Sequence, residues 1–393
     1  MRPLGELCLI ERGGSPRPID KYITDDPNGI NWIKIGDTTE SMYITRTKER
    51  IIPEGMKKSR YVQKGDFLLS NSMSFGRPYI LDIDGCIHDG WLVIRDNEGV
   101  FDKRFLYYFL GSPVTYQKFK SMAVGGVVNN LNIDMVKKIL VPVLSIAEQK
   151  EIADVLDKVT ALINYRKDQI ANLESLVKSR FIELFGDPVE NPKHLPVKAL
   201  KQLSVLITNG NTPKGGSENY VPKGILFIRS QNVWRNRIEL DDVAFIDEKT
   251  HHSLRKSSLK HKDILITKTG RINTENSSLG RAALYLGEDD SANINGHVYL
   301  VRLDGSVVPE YVITILTSEA YRKYIRKVCV GGIDKRQINL DQVEEFPIIL
   351  PPVKDQTEFA TFVEHTDKLK LAVTEALAEL ETLKKSLMQQ YFG

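Results

Sequence analysis

The chain is short of the residues and patterns that mark secreted, membrane-bound and catalytic proteins. Cysteine is scarce: Cys8, Cys86 and Cys329 are scattered through 393 residues and odd in number, with no CxxC pair and no Cys/His ligand spacing. A disulfide framework and a zinc site are thereby excluded, and a reduced, cytoplasmic protein is expected. No apolar run approaches the ~20 residues that span a bilayer, so no membrane contact is expected. The opening MRPLGELCLIERGGSP has no uninterrupted apolar core and is not a signal peptide. An excess of one charge is also missing. Lys and Arg total 54 against 51 Asp and Glu, for a net charge of +3, so any nucleic-acid site must be a local patch. There is no GxGxxG or GxxxxGK[ST] phosphate cradle, no HExxH, no GxSxG and no zinc-deaminase pattern. No catalytic residue, metal ligand or bound cofactor is expected of this chain.

Two smaller signals fall away on the same grounds. NPKH at positions 191–194 has only the first half of an Asn-Pro-Pro-aromatic methyltransferase loop, and its composition is that of a turn in a linker. His251, His252 and His261 have no carboxylate or cysteine at ligand spacing, and solvated histidines in a basic loop are the expectation.

What is present is a duplication. LNIDMVKKILVPVLSIAEQ begins at Leu131, and INLDQVEEFPIILPPVKDQ begins 207 residues later at Ile338. In constant register, Asn132, Asp134 and Val136 match Asn339, Asp341 and Val343, and Gln149, Glu151 and Ala153 match Gln356, Glu358 and Ala360. LFG at 184–186 matches YFG at 391–393. Upstream, KGDFLLSNSMSFGR parallels HKDILITKTG…SSLGR, GWLVIR parallels GHVYLVR, and VGGVVNN parallels VGGIDKR. A fixed long period marks a repeated structural unit. The order is variable domain, shared segment, variable domain, shared segment.

The shared segments carry a heptad seam. Ile152, Leu156, Val159, Ile163, Arg166, Ile170, Leu173, Val177, Arg180 and Leu184 step by four and three, as do Phe359, Val363, Thr366, Lys370, Val373, Leu377, Leu380, Lys384, Leu387 and Tyr391. Ser145 and Glu148 fit a capping box, Pro351-Pro352 marks the second start, and Gly186-Asp187-Pro188 stops the first helix. Each helix spans about 60 Å at 1.5 Å per residue and needs a partner for its stripe. Antiparallel pairing of the two is expected. The expected class is α+β: two mixed α/β domains separated by two long antiparallel coiled-coil helices with pseudo-two-fold symmetry. The division is domain one at 1–144, helix one at 145–186, a linker at 187–196, domain two at 197–350 and helix two at 351–393.

In the variable domains INWIKI, DFLLS, WLVIR, GILFIRS, DILIT and HVYLVRL are strand-like runs. FDKRFLYYFLGSPVTYQKFKSMA and PEYVITILTSEAYRKYIRKV are amphipathic and basic, and core packing rather than base stacking is expected of their aromatic stripes. Polar, basic loops fall at matched positions. The candidates in domain one are Lys34, Lys57, Lys58, Arg60, Asn71, Ser72, Arg77, Asn129 and Asn130. In domain two they are Arg229, Gln231, Asn232, Arg235, Lys268, Thr269, Arg271, Arg281, Lys335, Arg336 and Gln337. Arg, Lys, Asn and Gln are the side chains that match guanine and adenine edges, and Lys, Ser and Thr hold phosphates.

Tandem variable domains, each followed by a long helix of shared sequence, resemble the specificity subunit of Type I restriction–modification enzymes. The resemblance rests on NLNIDMVKKILVPVLSIAEQKEIADVLD, LESLVKSRFIELFGD and their second copies. It implies two target-recognition domains, each reading one half of a bipartite site on double-stranded DNA through the major or minor groove. It implies helices that set the spacer and dock two modification subunits, with S-adenosylmethionine bound on those partners. Restriction subunits are a further implied partner. The other class open to this sequence is a tandem protein-interaction scaffold with a coiled-coil spacer and no DNA role, distinguished from the first by the basic loops and by salt-sensitive DNA binding.

Overall fold

The structure is a computed structural model that describes residues 1–72, 75–123 and 130–393. The chain forms two units, Met1–Asp168 with Thr374–Gly393, and Gln169–Val373. All six strand-like runs become strands, and the two shared segments become helices Ile146–Phe185 and Val353–Phe392, 40 residues each.

Unit 1 is built on strand Trp91–Arg95, which lies antiparallel to both Leu9–Arg12 and Phe67–Ser70. Pro78–Leu81 and Tyr43–Ile44 complete that five-stranded sheet. WLVIR is apolar on both faces because the sheet is covered on both. Leu92 and Ile94 face a core shared with helix Lys103–Leu110, whereas Trp91 and Val93 face a second core with Ile33, Val62 and Ile87. The latter three belong to a second five-stranded sheet, in which Ile30–Ile33 runs parallel to Gly85–Ile87.

Unit 2 repeats this plan. Val298–Leu303 lies between Ser204–Asn209 and Ile264–Thr267, antiparallel to both, and Ile225–Ile228 runs parallel to Ala292–Ile294. Tyr299 and Val301 point into the core that holds helix Pro309–Thr317, and Val298 and Leu300 into the other.

The residues that repeat in the sequence hold this scaffold. Arg95 binds Asp66 through two nitrogens, at 3.3 and 2.9 Å, and the equivalent Arg302 binds Asp263 at 2.9 and 2.7 Å. Both aspartates also accept a backbone N–H three residues upstream, from Gln63 and Lys260. The repeated glutamines are latches. Gln149 is fully buried; its Oε1 accepts from the Asp102 N–H at 2.9 Å, and its Nε2 donates to the carbonyls of Val100 (2.8 Å) and Leu144 (3.0 Å). Gln356 accepts from the Val308 N–H at 3.1 Å and donates to the Pro351 carbonyl at 2.9 Å. Each latch ties a domain to the first turn of its long helix.

Helix one starts in the Ser145–Glu148 capping box, with reciprocal bonds of 2.9 and 3.3 Å, and stops at Gly186, whose φ of +79° suits a residue without a side chain. Phe185 of the LFG repeat enters the core of unit 2 against Tyr311 at 5.1 Å and Phe359 at 5.7 Å. Phe392 of the YFG repeat enters the core of unit 1 against Phe105 at 5.5 Å and Phe109 at 5.7 Å. Within unit 2 the end of helix one therefore meets the start of helix two. Within unit 1 the start of helix one, with Ala153 and Leu156, shares a core with Met388 and Phe392 at the end of helix two. The pairing in each unit is antiparallel. Along helix one every seam residue is buried or half-buried, and the off-seam Leu162, Leu176 and Ile182 are exposed.

Candidate nucleic-acid interface

The variable loops do what the repeated residues do not: they place unlike polar groups on the same scaffold. In unit 2 the loop after strand Ile264–Thr267 and the loop before the second shared segment fold onto each other. Thr269–Arg271, Lys335–Gln337 and Val330–Gly331 form a small antiparallel sheet. Its register sets Thr269 opposite Gln337, Gly270 opposite Arg336 and Arg271 opposite Lys335. Two basic runs more than sixty residues apart in the chain thus become one surface. Arg271 and Lys335 are exposed there, with Asp334 3.4 Å from Arg271; Arg336 and Gln337 are half-buried. Lys268, next to this sheet, lies over the Tyr299 ring at 5.8 Å.

A second group surrounds Asp242. Arg229 pairs with its carboxylate at 3.2 Å, and Gln231 donates to it at 2.6 Å. Three of the residues expected at the interface lie in the interior instead. Asn232 is buried, accepts from the Arg229 N–H and donates to the carbonyls of Glu239 and Asp242, each bond 3.0 Å. Asn71 is buried and donates to the Asp89 carbonyl at 3.1 Å. Arg281 is buried, donates from Nε to the Ser277 carbonyl at 3.0 Å and stacks 3.8 Å from the centre of the Trp234 ring. Burial and bonds to their own loops hold these side chains away from solvent, so these three shape loops instead of reading bases.

A third group was only partly legible in the sequence. Arg235 and Arg237 follow Trp234 on the hairpin Val233–Trp234/Arg237–Ile238, with Arg237 paired opposite Trp234. Helix Glu319–Val328 brings Arg322 and Arg326 to the same region. Partial desolvation of its guanidinium, with Arg322 close by, pushes Arg235 below its ordinary value although the residue as a whole is exposed; burial, with Arg235 close by, does the same to Arg281. The missed signal was the i, i+4 spacing of Arg322 and Arg326 on a helix whose other face carries Tyr321 and Ile325.

In unit 1 most of the expected cations are engaged. Lys34 pairs with Glu49, Arg60 binds Glu11 at 2.7 Å, and Lys58 donates to the Tyr22 hydroxyl at 2.7 Å while lying over its ring. Lys57 and Arg77 are exposed, and their side chains make no hydrogen bond or ion pair among the described residues; Ser72 is half-buried and Asn130 exposed. Asn129 lies outside the described residues. The histidines stay apart in role: His251 bonds Asn293, and His261 Nδ1 lies 3.3 Å from the Gly287 carbonyl. Among the described residues no helix is long and apolar enough to cross a membrane.

Comparison with known proteins gives a consistent set. The family model of the Type I restriction modification DNA specificity domain matches residues 1–175. The specificity subunit of the Type I restriction enzyme EcoKI from Escherichia coli K12 is 24% identical over 318 residues, covering 76% of this chain and 67% of the relative. A solved chain of a type I R-M system superposes with a TM-score of 0.59 at 17% identity, over 99% of this chain and 96% of that one. The S subunit of a Type-I restriction-modification system from M. genitalium superposes with a TM-score of 0.58 at 15% identity, over 100% and 95%. These two likenesses are of fold.

Proposed function

We propose that this chain is a Type I restriction–modification specificity subunit, the sequence-reading, non-catalytic chain of such an enzyme. Each unit reads one half of a bipartite site on double-stranded DNA. Two modification subunits dock on the chain and bring S-adenosylmethionine and the methyl-transfer chemistry. Restriction subunits join the cleaving form of the complex, and the site of action is the cytoplasm. The observation that carries the DNA reading is the register of Thr269–Arg271 on Lys335–Gln337, which joins two basic runs and sets the exposed Arg271 and Lys335, donors of the kind that match base edges, opposite each other.

The docking of two like partners is supported by the long helices. Leu162 and Leu383 in unit 1 are exposed, and so are Leu369 and Leu176 in unit 2. Leu162 is the repeat equivalent of Leu369, and Leu176 of Leu383. Each leucine stands one position before a seam residue, which in an antiparallel pair sets both on the same flank. The Glu174–Lys370 ion pair fixes the level in unit 2 and places Leu176 within about one residue rise, ~1.5 Å, of Leu369. Each unit thus offers the same exposed leucine pair, one from each helix, as two copies of one partner require.

The test is a domain exchange. Replacing residues 197–350 with the matching region of a relative, in cells carrying the modification partner, should change one half of the methylated motif and leave the other half intact. A change in both halves together would refute reading by separate units.

A further inference from the structure

We infer that the arginines around Trp234 in unit 2 are a clamp for the DNA phosphodiester backbone, distinct in role from the base-facing ribbon of Thr269–Arg271 and Lys335–Gln337. The inference rests on the DNA reading proposed above and adds to it which residues position the duplex.

The arrangement is like-charged by construction. Arg281 is buried against Trp234 at 3.8 Å from the ring centre, and Arg237 lies 5.4 Å from the same centre, so two guanidinium groups share one indole. Arg237 is neutralised by Glu239 at 2.7 Å. Arg322 donates to the Glu275 carbonyl and has Glu319 at 3.7 Å. Arg235 and Arg326 have neither a hydrogen bond nor an ion pair from their side chains among the described residues. Arg235 is exposed at the hairpin turn, with Asn236 at φ +56° and its N–H bonded to the Ala282 carbonyl at 2.8 Å. The turn is therefore pinned to the sheet, and Arg235 is presented from a fixed base. Gathering unneutralised guanidinium groups costs free energy in the free protein, and an anion between them removes that cost. The planar guanidinium fork matches phosphate oxygens.

Among the described residues, unit 1 differs at the corresponding place. Ser-Phe-Gly-Arg at 74–77 corresponds to Ser-Leu-Gly-Arg at 278–281, and with Val124 set on Val330, Tyr116 stands where unit 2 has Arg322. In unit 1 that place holds a Phe75–Tyr116 stack at 5.8 Å, bordering a cavity of about 460 Å³. Phosphate contacts fix register without carrying sequence, so a one-sided clamp would seat the duplex from unit 2.

The experiment compares the full chain, assembled with its modification partner, with Arg235→Gln, Arg326→Gln and the double variant on cognate and scrambled duplexes between 50 and 200 mM salt. Each substitution should lower the slope of log affinity against log salt by about 1, which reduces the affinity lost across that salt range by about threefold to fourfold. The double variant should lower it by about 2, equally on both duplexes, and Arg235→Lys should restore the slope. Circular dichroism should be unchanged, since neither side chain supports the core. Wild-type binding with an unchanged slope in the double variant would overturn the clamp alone, as would a loss confined to the cognate duplex. No salt-dependent DNA binding by the wild-type assembly would overturn the DNA reading and the clamp with it.

Discussion

Replacing Gln149 with leucine should destabilise unit 1 by about 3 kcal/mol, at ~1 kcal/mol for each buried group left without a partner. The three groups are the Asp102 N–H and the carbonyls of Val100 and Leu144, all bonded to one amide that is fully buried. Leucine has similar bulk, so the loss is of hydrogen bonds and not of volume. The duplication supplies an internal comparison. Gln356→Leu orphans two groups, the Val308 N–H and the Pro351 carbonyl, and should cost about 2 kcal/mol. Each unit has about 200 residues, for which 1 kcal/mol shifts the melting temperature by about 2–4 °C. Calorimetry should therefore find depressions of about 6–12 °C for Gln149→Leu and about 4–8 °C for Gln356→Leu. Urea titration should show lowered midpoints at an unchanged slope. If both variants stay within about 0.5 kcal/mol of the wild type, the scale of an ordinary surface substitution, the latch is not what joins domain to helix.

Asp263→Ala should cost about 3–5 kcal/mol in urea titration, because it strands the Arg302 guanidinium; Asp66→Ala should cost less, since Asp66 is more exposed than Asp263. Lys384 sits at a seam position over the Tyr108 ring, and burial, with Lys167 nearby, lowers its pKa. The native state then binds fewer protons than the unfolded chain, so this group makes stability rise with pH up to the ordinary lysine range. Lys384→Met should raise stability at neutral pH by on the order of 1 kcal/mol and flatten that alkaline rise, as read by urea titrations at several pH values. Leu162→Glu with Leu383→Glu should leave the fold intact and remove one of two bound modification subunits, measured by mass in solution; retention of both would refute docking at the leucine pair.

Much of the scaffold was legible because its physics is local or periodic. The heptad steps, the Ser145–Glu148 cap, the Gly186 stop and the alternation in WLVIR and HVYLVRL each depend on residues within a few positions of one another. The duplication made the rest visible, because the pairs Asp66–Arg95 and Asp263–Arg302 must recur wherever the same strands meet. The site was less legible. Composition marked the basic loops, but whether an Arg or Asn reaches solvent depends on which carbonyls the fold brings within its reach. Asn71, Asn232 and Arg281 carry the side chains of base readers and are spent on their own loops. Arg322 and Arg326 looked like the polar face of a helix, and became candidates only when the sheet set Arg235 beside them.

By itself, then, the sequence determined that there are two like units, where their long helices start and stop, and which stripe those helices bury, since these follow from short-range sterics and a repeated apolar period. Only tertiary structure decided that Thr269–Arg271 pairs with Lys335–Gln337, that Gln149 and Gln356 are latches, and which arginines remain free. Those outcomes turn on contacts between residues tens of positions apart, and nothing in the local pattern of either partner specifies the other.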